Sequence, residues 1–295
     1  MSNPLQPSWL TQISDFDHEM WPAGAKRNKF GELEINGVGC SELVRKFGSP
    51  LYVIDQAEFE ARLGTVKSAF ENAAKSAGTS VKLYYASKAL LTADVARWAA
   101  RAGYSIDVST GGELAVVLAA GIAGSQIGLH GNNKSLVEIG RAVSNDVSAI
   151  VIDSEIEIER IAAAAGAQDK VQLVRLRVNT GVHAHTHEYL ATSREDQKFG
   201  IAMVEVPDLV AKIRSHSHLK FLGLHCHIGS QIFSVDGFVA SAERMLELHA
   251  KLSKDGEVPE LNLGGGFGIS YVEGDRPLEI SQMANQIVAA VKSKC

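Results

Sequence analysis

The stretch Val81–Leu90, VKLYYASKAL, joins two kinds of chain. Val81 to Ala86 reads as a short strand, a helical pattern begins at Leu90, and Ser87 and Lys88 sit at the joint. A lysine at the C-terminal lip of an apolar strand is commonly a solvated turn residue. It can also be an amine held at the mouth of a barrel, where it forms a Schiff base with a carbonyl compound. The remainder of the chain has to separate the two.

Working outward, apolar strand-like runs alternate with longer helical patterns from Pro50 onward: LYVID, VKLYYA, YSIDVS, QIGLHG, SAIVID, VQLVRLRV, FLGLHCHI and ELNLGGG. Phe59, Leu63, Val66 and Phe70, and later Val239, Ala242 and Leu246, recur at helical spacing between them. Strands apolar on both faces, each followed by a helix, predict parallel strands buried on both sides. The expected fold is therefore α/β, a (β/α)8 TIM-type barrel, with a doubly wound open sheet as the alternative. Residues 1–48 are irregular, with short extended pieces such as GELEING, and residues 49–295 form the regular part. Two joints, VIDQAEFEAR and VIDSEIEIER, share helix-start chemistry: Asp55 with Glu58 and Ser154 with Glu157 are spaced as capping boxes.

The bulk composition narrows the function classes. Of 295 residues, 45% are hydrophobic and 21% charged, as in a globular protein with one large core. A net charge of -5 gives no basic surplus for nucleic acid or an anionic membrane. No apolar stretch approaches the about 18 to 20 residues that span a bilayer, and the first residues show no signal-peptide pattern. Three cysteines, Cys40, Cys226 and Cys295, are too few and too odd in number for a disulfide framework, which suits a reducing cytoplasm.

In a barrel, chemistry gathers where strands end. Those ends carry Lys88, Asp107, His130, Asp153, Arg177, His227 and the glycines Gly264, Gly265 and Gly266. Buried charges need partners, so a run of titratable groups at successive strand ends is hard to assign to core packing. LNLGGGFG is neither a Rossmann fingerprint, since Ile269 stands where a last glycine is needed, nor a P-loop. After a late barrel strand, a glycine loop suits a phosphate. His225 and His227, two apart, share a strand face. They and the His183, His185, His187 cluster are conceivable metal ligands, but the cluster has no matched cysteine or carboxylate spacing. A histidine stacked on a flat cofactor, with Ser230 reaching its phosphate, uses the residues better, and Cys226 on the opposite side is a small buried residue. An amine, a phosphate loop and a stacking histidine together point to pyridoxal phosphate (PLP).

In YYASKA, IDVSTGGEL, HGNNKS, LRVNTG, QKFG, LHCHIGSQIF and NLGGGFGISY the chain resembles the fold-type III PLP-dependent decarboxylases, in family order over about residues 30–272, and within them the diaminopimelate branch. The resemblance implies that Lys88 links to the cofactor and that His227 stacks on its ring. It implies that Ser230 and Gly264 to Gly266 bind the phosphate, that Asp107 and Arg177 line the site, and that Lys198 lies near a subunit boundary. It further implies a homodimer, with meso-2,6-diaminopimelate decarboxylated to L-lysine. Family members continue into a Glu-Pro-Gly-Arg segment, whose glutamate meets the pyridine nitrogen, and a β-sandwich. This sequence ends at IVAAVKSKC. The expectation is accordingly seven of eight barrel strands, with residues 1–48 pairing with the β-sandwich and a chain that is inactive by itself and prone to aggregate. A non-catalytic PLP-binding homologue, or a decarboxylase or racemase of another amino acid, stays open.

Overall fold

The computed structural model describes residues 20–182, 199–272 and 274–293. The chain falls into two units, Met1–Gly64 with Ile269–Arg276, and Thr65–Gly268 with Pro277–Cys295. In the first, β1 (Ala25–Arg27), β2 (Leu33–Ile35) and β3 (Val38–Gly39) form an antiparallel sheet, followed by α1 (Cys40–Phe47). The β2–β3 turn is Asn36-Gly37, with φ of 49° and 82°, the positive pair that a tight two-residue hairpin requires. LYVID does not become a strand: Leu51–Ile54 join no ladder and stand exposed. Helix α2 (Gln56–Ala77) starts as expected at Asp55, whose carboxylate accepts from the Ala57 and Glu58 amides.

The second unit is a sheet of seven parallel strands with helices between them. β4 (Tyr84–Ala86), β5 (Ser105–Val108), β6 (Ile127–Leu129), β7 (Ala149–Ile152), β8 (Gln172–Asn179), β10 (Leu219–His225) and β11 (Glu260–Asn262) lie side by side in chain order. β9 (Ile201–Ala202) is a short addition beside the end of β8. A doubly wound sheet reverses direction at a switch point; this path never does. It also curls. β4 and β8 are four strand spacings apart, about 19 Å in a flat sheet. Yet Arg175 of β8 donates to the Tyr84 hydroxyl at 3.1 Å, and to Glu260 of β11 at 2.8 Å through Nε. Only a barrel-like curve brings those side chains into one interior, which makes this the expected barrel with seven strands along its path.

Burial explains the strands. β6 and β7 are buried at every residue, the state expected of strands covered on both faces. The helices α5 (Leu136–Ser144), α6 (Glu155–Gly166) and α7 (Val206–Ser215) each bury one stripe, for example Ile158, Ile161, Ala162 and Ala165 of α6. Under α8 (Asp236–Leu252) and α9 (Ile280–Lys292), Phe70, Ile228, Ile232, Phe238, Met283 and Ile287 form a further core. No helix among the described residues is long and apolar enough to cross a membrane.

Three local expectations are corrected. β4 begins at Tyr84 rather than Val81, and α3 (Ala93–Arg101) begins after Leu90, because the Thr92 hydroxyl caps it by accepting from the Val95 amide. The Ser154–Glu157 capping box does not form; the Ser154 side chain makes no cap bond. A complete box stands instead at Ser135 and Glu138, at the start of α5.

Candidate active site

The seven expected strand-end positions all lie in the second unit, at the C-terminal ends of their strands. Lys88 follows β4 in a turn held from three sides: Ser87 N–H donates to the Asp107 carbonyl at 3.0 Å, Ala89 N–H to Ala86, and the Tyr85 hydroxyl to the Leu90 carbonyl at 2.7 Å. The lysine itself is exposed, so its amine is reachable. Asp107 lies on β5, His130 follows β6, Asp153 follows β7, and Arg177 lies on β8. Strand β10 closes at His225, so His227 leaves the ladder two residues later.

Electrostatics tie these groups together. Burial pushes the His227 imidazole down to about 4, and the Lys88 ammonium and Arg177 guanidinium push in the same direction, while a backbone hydrogen bond at Gly265 opposes them. Lys88, Arg177 and the glycine loop thus all act on one ring. His225 is fully buried and also held well below 6.5, by burial first and then by the charges of His130, Arg177 and His227. Both histidines are neutral at physiological pH. The His130 and His225 rings meet edge to face, 4.9 Å between centroids. His130 Nε2 is 3.0 Å from Asp107 Oδ1, an ion-pair distance, but the geometry makes no hydrogen bond, and both atoms lack a hydrogen-bond partner. Arg177 pairs with Asp153 at 3.2 Å and lies over the Phe199 ring.

The glycine loop packs directly on the His227 segment. Gly264 and Gly266 have φ of 72° and 105°, and a Cβ there would overlap the carbonyl oxygens of Cys226 and Gly229 respectively. At Gly265 a Cβ would meet nothing within 4 Å. Two glycines therefore serve the close approach of the loops, and the one between them leaves open space on its outer side. Ser230 is exposed beside Gly266, whose Cβ would come 3.3 Å from Ser230 Cα. Cys226 points the other way, its sulfur 3.4 Å from the Ser241 hydroxyl of α8.

A phosphorylated pyridine aldehyde fits this set on two observations. The cleft has an accessible amine beside a neutral imidazole and a side-chain-free loop. Buried polar atoms of Ser87, Asp107, His130 and His225 have no hydrogen-bond partner, unusual for buried groups outside a binding site. Lys198 and the His183, His185, His187 cluster lie outside the described residues.

Sequence reasoning undervalued His130 and His225 as members of the cleft. The signal was present in Gly128, one residue before the end of an otherwise apolar strand: a Cβ there would sit 2.8 Å from Asp107 Oδ1 and 3.3 Å from the Tyr84 ring. A glycine inside a strand marks such an approach. It missed Arg175 too, although two arginines spaced two apart in VQLVRLRV put both on one strand face.

Comparison with known proteins agrees with this geometry. The family described as pyridoxal-dependent decarboxylase, pyridoxal binding domain, matches residues 63–295. Diaminopimelate decarboxylase of Mycobacterium tuberculosis is 40% identical over 97% of this chain and 64% of its own length. The Corynebacterium efficiens enzyme is 38% identical over 95% of this chain and 60% of its own length. A crystal structure of diaminopimelate decarboxylase from M. jannaschii superposes with a TM-score of 0.84 at 26% identity, covering 91% of this chain and 62% of that one. The same enzyme is also known in complex with L-lysine, with a TM-score of 0.82 and 27% identity over 91% of this chain and 62% of that one. The chain thus spans about three fifths of the length of the relatives it matches.

Proposed function

Since this chain belongs to the pyridoxal-dependent decarboxylases, we propose that its cleft binds PLP and serves the decarboxylation of meso-2,6-diaminopimelate to L-lysine and carbon dioxide. The observation that carries the reading is the convergence of Lys88, His227 and Gly264 to Gly266 on one cleft. The names of the relatives at about 40% identity supply the substrate, and the L-lysine bound in the M. jannaschii enzyme is the expected product.

When bound, PLP supplies an electron sink for the pair left by the departing carboxylate. Lys88 would hold the cofactor through its exposed amine. His227, neutral because burial and two nearby cations oppose its protonation, would present an uncharged imidazole to the cofactor. Gly265, flanked by the closely packed Gly264 and Gly266, leaves open space in which the phosphate would sit, with the Ser230 hydroxyl beside the loop. Asp107 and Arg177 line the ring side, and Asp153 holds the guanidinium in place. In this reading residues 49–295 carry the cofactor and residues 1–48 pair with the portion corresponding to the relatives' remaining length. The working protein is a homodimer in the cytoplasm, where free thiols such as Cys226 persist.

The test is borohydride reduction of the PLP-treated protein followed by peptide mass analysis. A reduced PLP adduct on Lys88, absent from Lys88→Ala, is expected. An adduct confined to other lysines, or none, overturns the assignment.

A further inference from the structure

We propose that the buried Lys134–Glu157 pair positions Asp153, and through it Arg177, at the PLP cleft; the inference rests on the cofactor reading above. Neither residue was assigned a part in the site. Both side chains are 1% exposed, and the ammonium lies 2.8 Å from Glu157 Oε2.

The pair is saturated. Lys134 Nζ has three donors, and they meet Glu157 Oε2, the Gly131 carbonyl at 2.6 Å and the Val151 carbonyl at 2.7 Å. Glu157 in turn accepts from the Asp153 amide at 2.8 Å and from the Lys134 amide at 3.3 Å. Every one of these backbone groups belongs to the ends of β6 and β7 or the loops just beyond them, where His130 and Asp153 stand.

Stability gives a poor account of such a pair, because a buried ion pair contributes little over apolar residues of the same volume. What an apolar pair cannot supply is direction. Glu157 fixes the Asp153 amide, hence its Cα, and the Asp153 carboxylate then takes Arg177 Nη1 at 3.2 Å. The Arg177 charge is felt at both His225 and His227. Lys134 and Glu157 do not face the cleft; they are positioning residues, and Arg177 is what they position.

The test is a binding cycle on this chain, read by PLP titration, with thermal melting as the folding control. Single substitutions strand a buried charge, so the pair is removed together. Lys134→Met/Glu157→Leu is expected to bind PLP about tenfold more weakly, the scale on which outer-shell partners act. Lys134→Met/Glu157→Gln keeps an acceptor for the Asp153 amide and is expected to fall between that variant and wild type. In an Asp153→Asn background, the same substitutions are expected to have no further effect, since the link they act through is already cut. If the leucine variant does not fold, the glutamine variant and Asp153→Asn complete the cycle. A wild-type chain that takes up no PLP overturns the cofactor reading and the inference together. Wild-type uptake with unchanged affinity in the variants, or with effects that simply add to Asp153→Asn, overturns the inference alone.

Discussion

Two clusters of buried polar groups stand at the same end of the same sheet, and they are built on opposite rules. Around Lys134 and Glu157, every ammonium donor has an acceptor, and the carboxylate takes backbone amides from two loops. Around Asp107, His130 and His225, one polar atom in each residue is buried without a hydrogen-bond partner. A satisfied network rigidifies; a buried group left open costs free energy that only a ligand or water recovers. The contrast teaches where to look for binding: in the cluster whose hydrogen-bonding capacity the protein has not used up.

The sharpest way to break this comparison is to remove one charge from the satisfied cluster. Lys134→Met leaves the Glu157 carboxylate buried without its counter-charge and should destabilise the fold by about 3 to 5 kcal/mol, measured by urea unfolding. A loss below about 1 kcal/mol would mean the pair is solvated and the contrast unfounded.

Acid should act on the open cluster with a smaller effect. His227 is held at about 4 in the fold against 6.5 when unfolded. As pH falls below 6.5 the unfolded chain takes up the proton first, so stability is full above 6.5 and declines until about pH 4. The full decline attributable to this ring is about 3 kcal/mol, and His225 adds to it in the same direction. Unfolding midpoints at pH 7.5, 6 and 5 would show it, and His227→Asn should flatten the curve. A curve equally steep in that variant would assign the loss elsewhere.

The smallest change is expected at Asp107. Its Oδ1 makes no hydrogen bond and its side chain is only partly buried beside a His130 ring at 3.0 Å, so Asp107→Asn breaks no hydrogen bond at that atom and should shift stability by less than about 1 kcal/mol. PLP affinity should nonetheless fall. A stability loss as large as that of Lys134→Met would show that the two clusters are built alike after all.

The strand ends were legible because two simple periodicities, apolar runs and helical spacing, mark them directly. Lys88, Asp107, Arg177 and His227 follow from that frame once chemistry is expected where strands stop. Side-chain destinations were harder. Ser135–Glu138 and Ser154–Glu157 look identical on paper as capping boxes. The first forms; in the second, the glutamate turns inward because Lys134, 23 residues earlier, offers it a buried cation. A four-residue pattern carries no record of that neighbour. The Asn36-Gly37 hairpin went unread although its dipeptide is a strong local turn signal, and LYVID shows that an apolar run becomes a strand only where a partner edge meets it.

The reach of Arg175 bears on how the fold is made. Each strand of the path pairs with the next in sequence, so most of the sheet can grow by short steps. Arg175 spans 91 residues back to Tyr84 and 85 forward to Glu260. Contacts that close such long loops bear the largest entropy of closure and form after the local ones. The arginine is thus a latch set late in folding, and its loss shows mainly as faster opening of the sheet rather than slower assembly.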